Sequence, residues 1–376
     1  MKSFFANIFK MDWILFFPAV FLMASGLLAI YSLSISSPEG GISNFQKQLI
    51  FLVIGLAIFL FFSLVDYRLW RSYAYFLYGL GIISLVLVLW FGVTVRGTSG
   101  WFDLGFFNFQ PVEVMKVFLI FALAAYLSKF KNKKIYWKGV LGSFLLMIIP
   151  FLLVLKQPDF GSASVLAVIW MVMLFLAGVD KKVIIFLLMV GLAFFALGWG
   201  TFFQDYQKER IQTFLNPGED PLDKGYNVIQ SMVAIGSGGL TGKGIGHGSQ
   251  SQLNFLPEKH TDFVFAAVGE ESGFLGAFLV LLSFWVLFFR LIKISIEAGD
   301  CFGRLLTVGI LALFSYQVLV NIGMNLGIVP VAGISLPFLS YGGSFLFVSF
   351  ALLGLVMSVW RKRKTGRGLF NEPDLI

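Results

Sequence analysis

Ten apolar runs dominate the chain, near residues 12–34, 48–65, 72–95, 112–128, 139–155, 162–179, 183–203, 263–289, 305–326 and 334–360. Each is close to the roughly 20 residues that a helix needs to cross about 30 Å of hydrocarbon. With no water in the bilayer core, a run of this kind satisfies its backbone only by coiling on itself. The expected fold is therefore an all-α polytopic membrane protein with ten transmembrane helices. Composition agrees: 58% of the 376 residues are apolar, 45 are Phe, 13% are charged and the mean hydropathy is +0.87. A soluble domain carries about 25% charged residues, so a soluble globule is excluded.

A net charge of +8 with no basic domain to concentrate it argues against nucleic acid. The cations instead report orientation. With the N-terminus inside, 19 of the 28 Lys and Arg fall on internal segments, among them Lys2, Lys10, Lys133 and the run Arg361 to Lys364. That excess places both termini in the cytoplasm. The first run is long and shows no cleavage site before Pro38, so it reads as a retained anchor. Residues 1–363 read as one transmembrane domain and 364–376 as a short polar cytoplasmic tail.

The one large hydrophilic stretch, 204–262, joins the seventh and eighth spans on the external side. It holds Asn216-Pro217-Gly218 and glycines at 236, 238, 239, 242, 244, 246 and 248, which suit tight turns or close backbone approach. Leu240, Ile245, Leu253, Phe255 and Leu256 would be wasted in a linker, so the loop is expected to fold back on the membrane surface. Its glycines match neither phosphate-binding pattern: Gly242-Lys243 is followed by Gly244 where a P-loop needs Ser or Thr.

Ionisable groups inside spans are costly and are functional candidates by default. Glu113 and Lys116, three apart on one helical face, either serve a site or only neutralise each other. Asp159 lies in the turn Lys156 to Gly161, where a helix cap is the plainer role. Asp262 closes the long loop where the eighth span begins, and Glu270 lies eight residues further on; a cap for that span is again the plainer role of Asp262. Together with Arg96 these groups all belong to the external half, which points to a polar cavity open to the outer leaflet. His247 and His260, with Cys301 the lone cysteine, make poor zinc ligands, and no nucleophilic triad is evident. A hard divalent cation such as Mg or Mn held by carboxylates stays open.

Several motifs carry a resemblance. Arg96-Gly97, Trp101 to Gly105, Phe109-Gln110-Pro111 with Glu113 and Lys116, Gln157 to Gly161, Phe255 to Phe263, and Leu336-Pro337-Phe338 with Ser340 to Ser344 resemble the SEDS proteins over nearly the whole chain. Val112 stands where Ser is commoner. The short termini, Asn321 to Met324 and Gly327 to Val331 look more like the rod-shape branch, RodA, than the division branch, FtsW. The resemblance implies a peptidoglycan glycosyltransferase that polymerises lipid II at the outer face of the cytoplasmic membrane. It implies as partners a class B penicillin-binding protein and the other proteins of the elongation complex. The proposed catalytic Asp of the family carries over to Asp262, and its cavity residues to Arg96, Glu113, Lys116 and Asp159. His260, Thr261 and Ser340 of the matched motifs join these as substrate-binding candidates.

Inverting transfer in one displacement needs one base to take the acceptor hydroxyl's proton, and cations to stabilise the leaving diphosphate. A lipid II flippase would instead continue its polar groups toward the cytoplasmic half, which this sequence does not do. A non-catalytic scaffold would use the buried charges only to hold its fold.

Overall fold

The computed structural model describes residues 11–35, 41–95, 97–130, 135–201, 205–216, 225–253, 255–256 and 258–363. The helices are α1 Trp13–Ile35, α2 Gly41–Leu64, α3 Arg68–Phe91, α4 Pro111–Leu127, α5 Trp137–Leu155, α6 Phe160–Leu176, α7 Lys181–Thr201, α8 Asp205–Leu215, α9 Tyr226–Ser237, α10 Ser249–Gln252, α11 Val264–Glu297, α12 Cys301–Asn325 and α13 Gly343–Arg361. Among the described residues nine helices are long and apolar enough to span a bilayer, and α6, at 17 residues, is the shorter tenth. The ten expected spans are thus all helices.

Their burial sorts them into a centre and a rim. The most apolar stretches of α13, α4 and α12 are 89%, 83% and 72% buried, against 6% for α7. A helix apolar all round is suited to such a centre, whereas the rim helices present their apolar faces to lipid. α4 packs on α3, α5, α6 and α12; α13 packs chiefly on α2, and α11 on α1 and α12.

Three stretches differ from the runs read off the sequence. The third run ends early, because Gly92 turns extended and Val93–Val95 pairs as strand β1 with β2, Thr98–Asp103. β2 pairs in turn with β3, Asn108–Phe109, giving a three-stranded antiparallel meander between α3 and α4. The tenth run is helical only from Gly343; residues 326–342, broken by Pro330, Gly333 and Pro337, form irregular chain. Such backbone is tolerated at membrane depth where it is enclosed by protein or lines a cavity. Here the Ile334 carbonyl accepts from Asn321 Nδ2 at 2.7 Å and the Leu336 N–H donates to Ser340 Oγ at 2.8 Å.

The third difference is in α11, which runs 34 residues and breaks at Gly273 (φ 63°, ψ −162°), a conformation open only to glycine. The break frees backbone groups, and the long loop takes them up. Lys243 and Gly244 donate to the Glu270 and Glu271 carbonyls at 3.1 and 3.0 Å, while Phe274 and Leu275 donate to Gly239 and Leu240 at 2.9 and 3.1 Å. A side chain at Gly273 would run into the Gly242 backbone. The loop therefore lends its backbone to the broken helix. Pro217, Gly218, Pro257 and the tail 364–376 lie outside the described residues.

Candidate active site

One cavity, about 420 Å³, opens among the meander, α4, the start of α6, the turn before α11, α12 and the 326–342 segment. That volume lies within the roughly 300–1,000 Å³ of small-molecule sites. Of the sequence candidates, Glu113, Lys116, Asp159, Thr261 and Asp262 all line it, although they come from three separate stretches of chain. Arg96 lies outside the described residues.

Pro111 opens α4 at a position where its missing N–H costs nothing, which sets Glu113 in the first turn and Lys116 one turn on. Their side chains form a buried ion pair, Nζ to Oε1 2.7 Å. The Asp159 carboxylate caps α6, accepting from the Ser162 N–H at 2.8 Å, and its second oxygen accepts from Gln110 Nε2 at 3.4 Å. Capping and lining the cavity are here the same placement. Gly161 permits it: any Cβ there would meet the Ala332 carbonyl, so the first turn of α6 lies directly against the irregular segment.

Asp262 is not the cap of α11; that position is Phe263 and uses no side chain. What fixes Asp262 is its backbone. Glu258 adopts φ 53°, and its carbonyl accepts from the Thr261 and Phe263 N–H groups at 3.1 and 3.3 Å, forming a tight turn. The Asp262 carbonyl then receives two amides from α12, Asn321 Nδ2 and Asn325 Nδ2, each at 3.0 Å. Asn325 Oδ1 also accepts from the Ala266 N–H in the first turn of α11 at 3.1 Å. Asp262 is half-buried and lines the cavity.

Ser340 and His260 do not line it. Ser340 is buried behind the wall, where its hydroxyl donates to the Thr261 carbonyl at 2.7 Å; His260 accepts through its carbonyl from the Tyr341 N–H at 2.9 Å. Both brace the Asp262 turn. Glu270 also faces elsewhere: its carboxylate accepts from Lys243 Nζ and the Gln250 and Ser251 N–H groups, each at 2.9 Å. Glu271 beside it bonds Ser32 Oγ and Gln252 Nε2, so this pair pins the loop to α1 and α11 and is not part of the cavity. Next to that network Lys259 donates to the Ser251 carbonyl at 2.6 Å; burial pushes its ammonium below the usual lysine value, and the Glu271 charge pulls it partly back.

The cavity wall also holds groups that the sequence reading missed. Lys47 and Arg210 line it, as do Gln110, Gln317 and Ser344. Lys47 sits where a span-end lysine usually meets water, and Arg210 in a long polar loop, so neither stands out by composition. Gln317, Asn321 and Asn325 carried a signal, being three amides at four-residue spacing in a largely apolar span. On the apolar side, Phe51 meets Phe106, Phe107 and Tyr341 at ring-centroid distances of 5.8, 6.0 and 6.4 Å. Among the described residues no three His, Cys, Asp or Glu side chains are grouped to hold a metal ion, so the present donor set makes no ready cation cage. Among the described residues the cations that line the cavity are Lys47, Lys116 and Arg210.

A family model described as cell cycle protein, FtsW/RodA/SpoVE, matches residues 12–365. The chain belongs to the FtsW/RodA/SpoVE family. This is the SEDS resemblance that the motifs carried. Peptidoglycan glycosyltransferase MrdB of Escherichia coli K12 is 38% identical over 92% of this chain and 94% of its own length. Stage V sporulation protein E of Bacillus subtilis 168 is 38% identical over 93% and 97%. Among solved structures, a chain from a peptidoglycan synthase complex that coordinates polymerisation and crosslinking superposes with a TM-score of 0.79 at 33% identity, covering 93% of this chain and 98% of that one. Rod shape determining protein RodA of Thermus thermophilus does so with 0.71 at 31% over 94% and 98%. For this member of the family the charged cavity is thus set within a multi-pass membrane bundle.

Proposed function

We propose that the chain is a peptidoglycan glycosyltransferase that polymerises lipid II into β-1,4 glycan strands, with Asp262 as general base. The observation that carries this is Asp262 on a backbone-clamped turn, sharing one cavity with Lys47, Lys116 and Arg210. The acceptor 4-hydroxyl attacks the anomeric carbon of the lipid-linked donor; Asp262 takes the hydroxyl proton as the new C–O bond forms. The bond from that carbon to the diphosphate oxygen breaks, and the diphosphate leaves with its electron pair. It needs charge stabilisation and not a proton, which the cations supply where water is scarce. Glu113, 2.7 Å from Lys116 Nζ, orients that ammonium. The Phe51, Phe106 and Phe107 side suits a lipid chain entering from the bilayer.

On this reading residues 1–363 are one domain, 364–376 is a cytoplasmic tail, both termini are cytoplasmic, and the cavity faces the outer side of the cytoplasmic membrane. The Lys and Arg count supports that orientation. A class B penicillin-binding protein is the partner that would crosslink the product, a pairing supported by the synthase-complex relative. The rod-shape role is preferred. A division role is the second reading, because a probable peptidoglycan glycosyltransferase FtsW from Trichlorobacter lovleyi is also 38% identical, over 93% of this chain and 92% of its own. Complementation of cells lacking one or the other activity separates them.

Replacing Asp262 by Asn tests the base. Polymerisation of purified lipid II is expected to fall by about 10²–10⁴-fold. The melting temperature is measured alongside to show that the variant is folded; the Asn side chain keeps the size of Asp and leaves the clamp on the Asp262 carbonyl in place. A folded variant with undiminished polymerisation removes Asp262 from the mechanism.

A further inference from the structure

Among the described residues, one fully buried side-chain oxygen of the cavity wall has no hydrogen-bond partner. Gln317 on α12 is 1% exposed and lines the cavity, yet its Oε1 is buried with no hydrogen-bond partner. Its neighbours along the same face behave differently. Asn321 and Asn325, one and two turns on, use their amides to hold the Asp262, Ile334 and Asn321 carbonyls. A residue serving only to fill this part of α12 would be apolar, because a buried carbonyl oxygen without a donor weakens the fold.

We propose that Gln317 is a substrate contact whose carbonyl oxygen accepts a hydrogen bond from an N–H or O–H group on the sugar held in the cavity. This rests on the polymerase reading and names the group that grips its glycan. The acceptor character selects the ligand chemistry. Diphosphate oxygens offer no proton at neutral pH and an isoprenoid chain has none to give, which leaves sugar hydroxyls and acetamido N–H groups. The location fits, for Gln317 lies one helical turn, about 6 Å along the axis, from the residue that clamps the Asp262 carbonyl. A sugar bound there sits beside the base.

The test uses the full-length chain in detergent, a short-chain lipid-linked disaccharide and the substitution Gln317→Met, which keeps length and removes the acceptor. The variant is expected to melt at the same or a higher temperature than wild type, since an unsatisfied group is gone, while Kd rises about tenfold. Two analogues locate the donor. If the acetamido N–H is the partner, an acetoxy analogue binds wild type and variant equally; if a hydroxyl is, the matching deoxy sugar does. Unchanged Kd, a lowered melting temperature, failure of the variant to fold, or discrimination that survives every analogue overturns the proposal. Absence of binding by wild type itself would instead sink the polymerase reading.

Discussion

The buried pair Glu113–Lys116 distinguishes a working site from a neutralised accident. Lys116 is 2% exposed and Glu113 6%, and their contact is 2.7 Å. Removing one partner, as in Lys116→Met, leaves an uncompensated charge at membrane depth and should destabilise the fold by about 3–5 kcal/mol. With an unfolding entropy near 2.1 cal/mol/K per residue over 376 residues, that corresponds to a fall of about 4–6 °C in melting temperature. Replacing both, as Glu113→Leu with Lys116→Met, removes two charges together and should return the melting temperature to within about 1–2 °C of wild type, because well-packed apolar groups commonly substitute for a buried ion pair without net loss. Activity should not return, since Lys116 is one of the cavity's cations and its stabilisation of the leaving diphosphate is lost. Thermal unfolding in detergent and lipid II polymerisation, measured on the two single variants and the double, give the full cycle. A double variant that is both stable and fully active refutes the argument: the pair would then be a structural filler.

The remaining predictions concern how the site is held. Asn325→Ala removes one of two donors to the Asp262 carbonyl and one of two acceptors of the Ala266 N–H, which keeps the Phe263 carbonyl; it should destabilise by about 1–2 kcal/mol and lower kcat more than KM, read from melting curves and polymerisation kinetics. Lys259 is held below its usual value of 10.5 by burial, so the unfolded chain binds more protons in the window just under that value and wild-type stability should rise with pH through it. Lys259→Met should flatten that rise, measured as melting temperature against pH, and an unchanged slope would remove Lys259 as its cause.

Much of the architecture was legible in the sequence for a simple reason. Lipid imposes one rule on every span, and ten apolar runs obeying it give ten helices. The cavity charges were legible by the same logic: Glu113, Lys116 and Asp159 stand out because ionisable groups in hydrocarbon are expensive, and they do meet in one cavity. Glu270 stood out equally and went elsewhere. Cost identifies a buried charge as having a partner but does not say which, and the partner of Glu270, Lys243 with the loop's N–H groups, lies about 20–27 residues away in a loop whose path the apolar pattern does not encode.

What stayed hidden has a common physical character: backbone groups meeting over long distances. The apolar count over 334–360 reads as a span, yet Asn321 and Ser340 give the polar backbone of 334–340 the partners that a helix would otherwise provide, so hydropathy no longer dictates coiling. The same holds at Gly273, where the turn 239–244 completes the broken helix. Once the irregular segment is stable, it exposes no side-chain signal of its own; it works by holding other residues, Ser340 on the Thr261 carbonyl and Tyr341 on the His260 carbonyl. The position of Asp262 is therefore set by carbonyls that any sequence would possess, and only the amides and hydroxyls that reach them are specific. Ser340 looked like a substrate ligand because its type suits that task, and the geometry gives its hydroxyl a different one: bracing a four-residue turn so that the Asp262 carboxylate stays in the cavity.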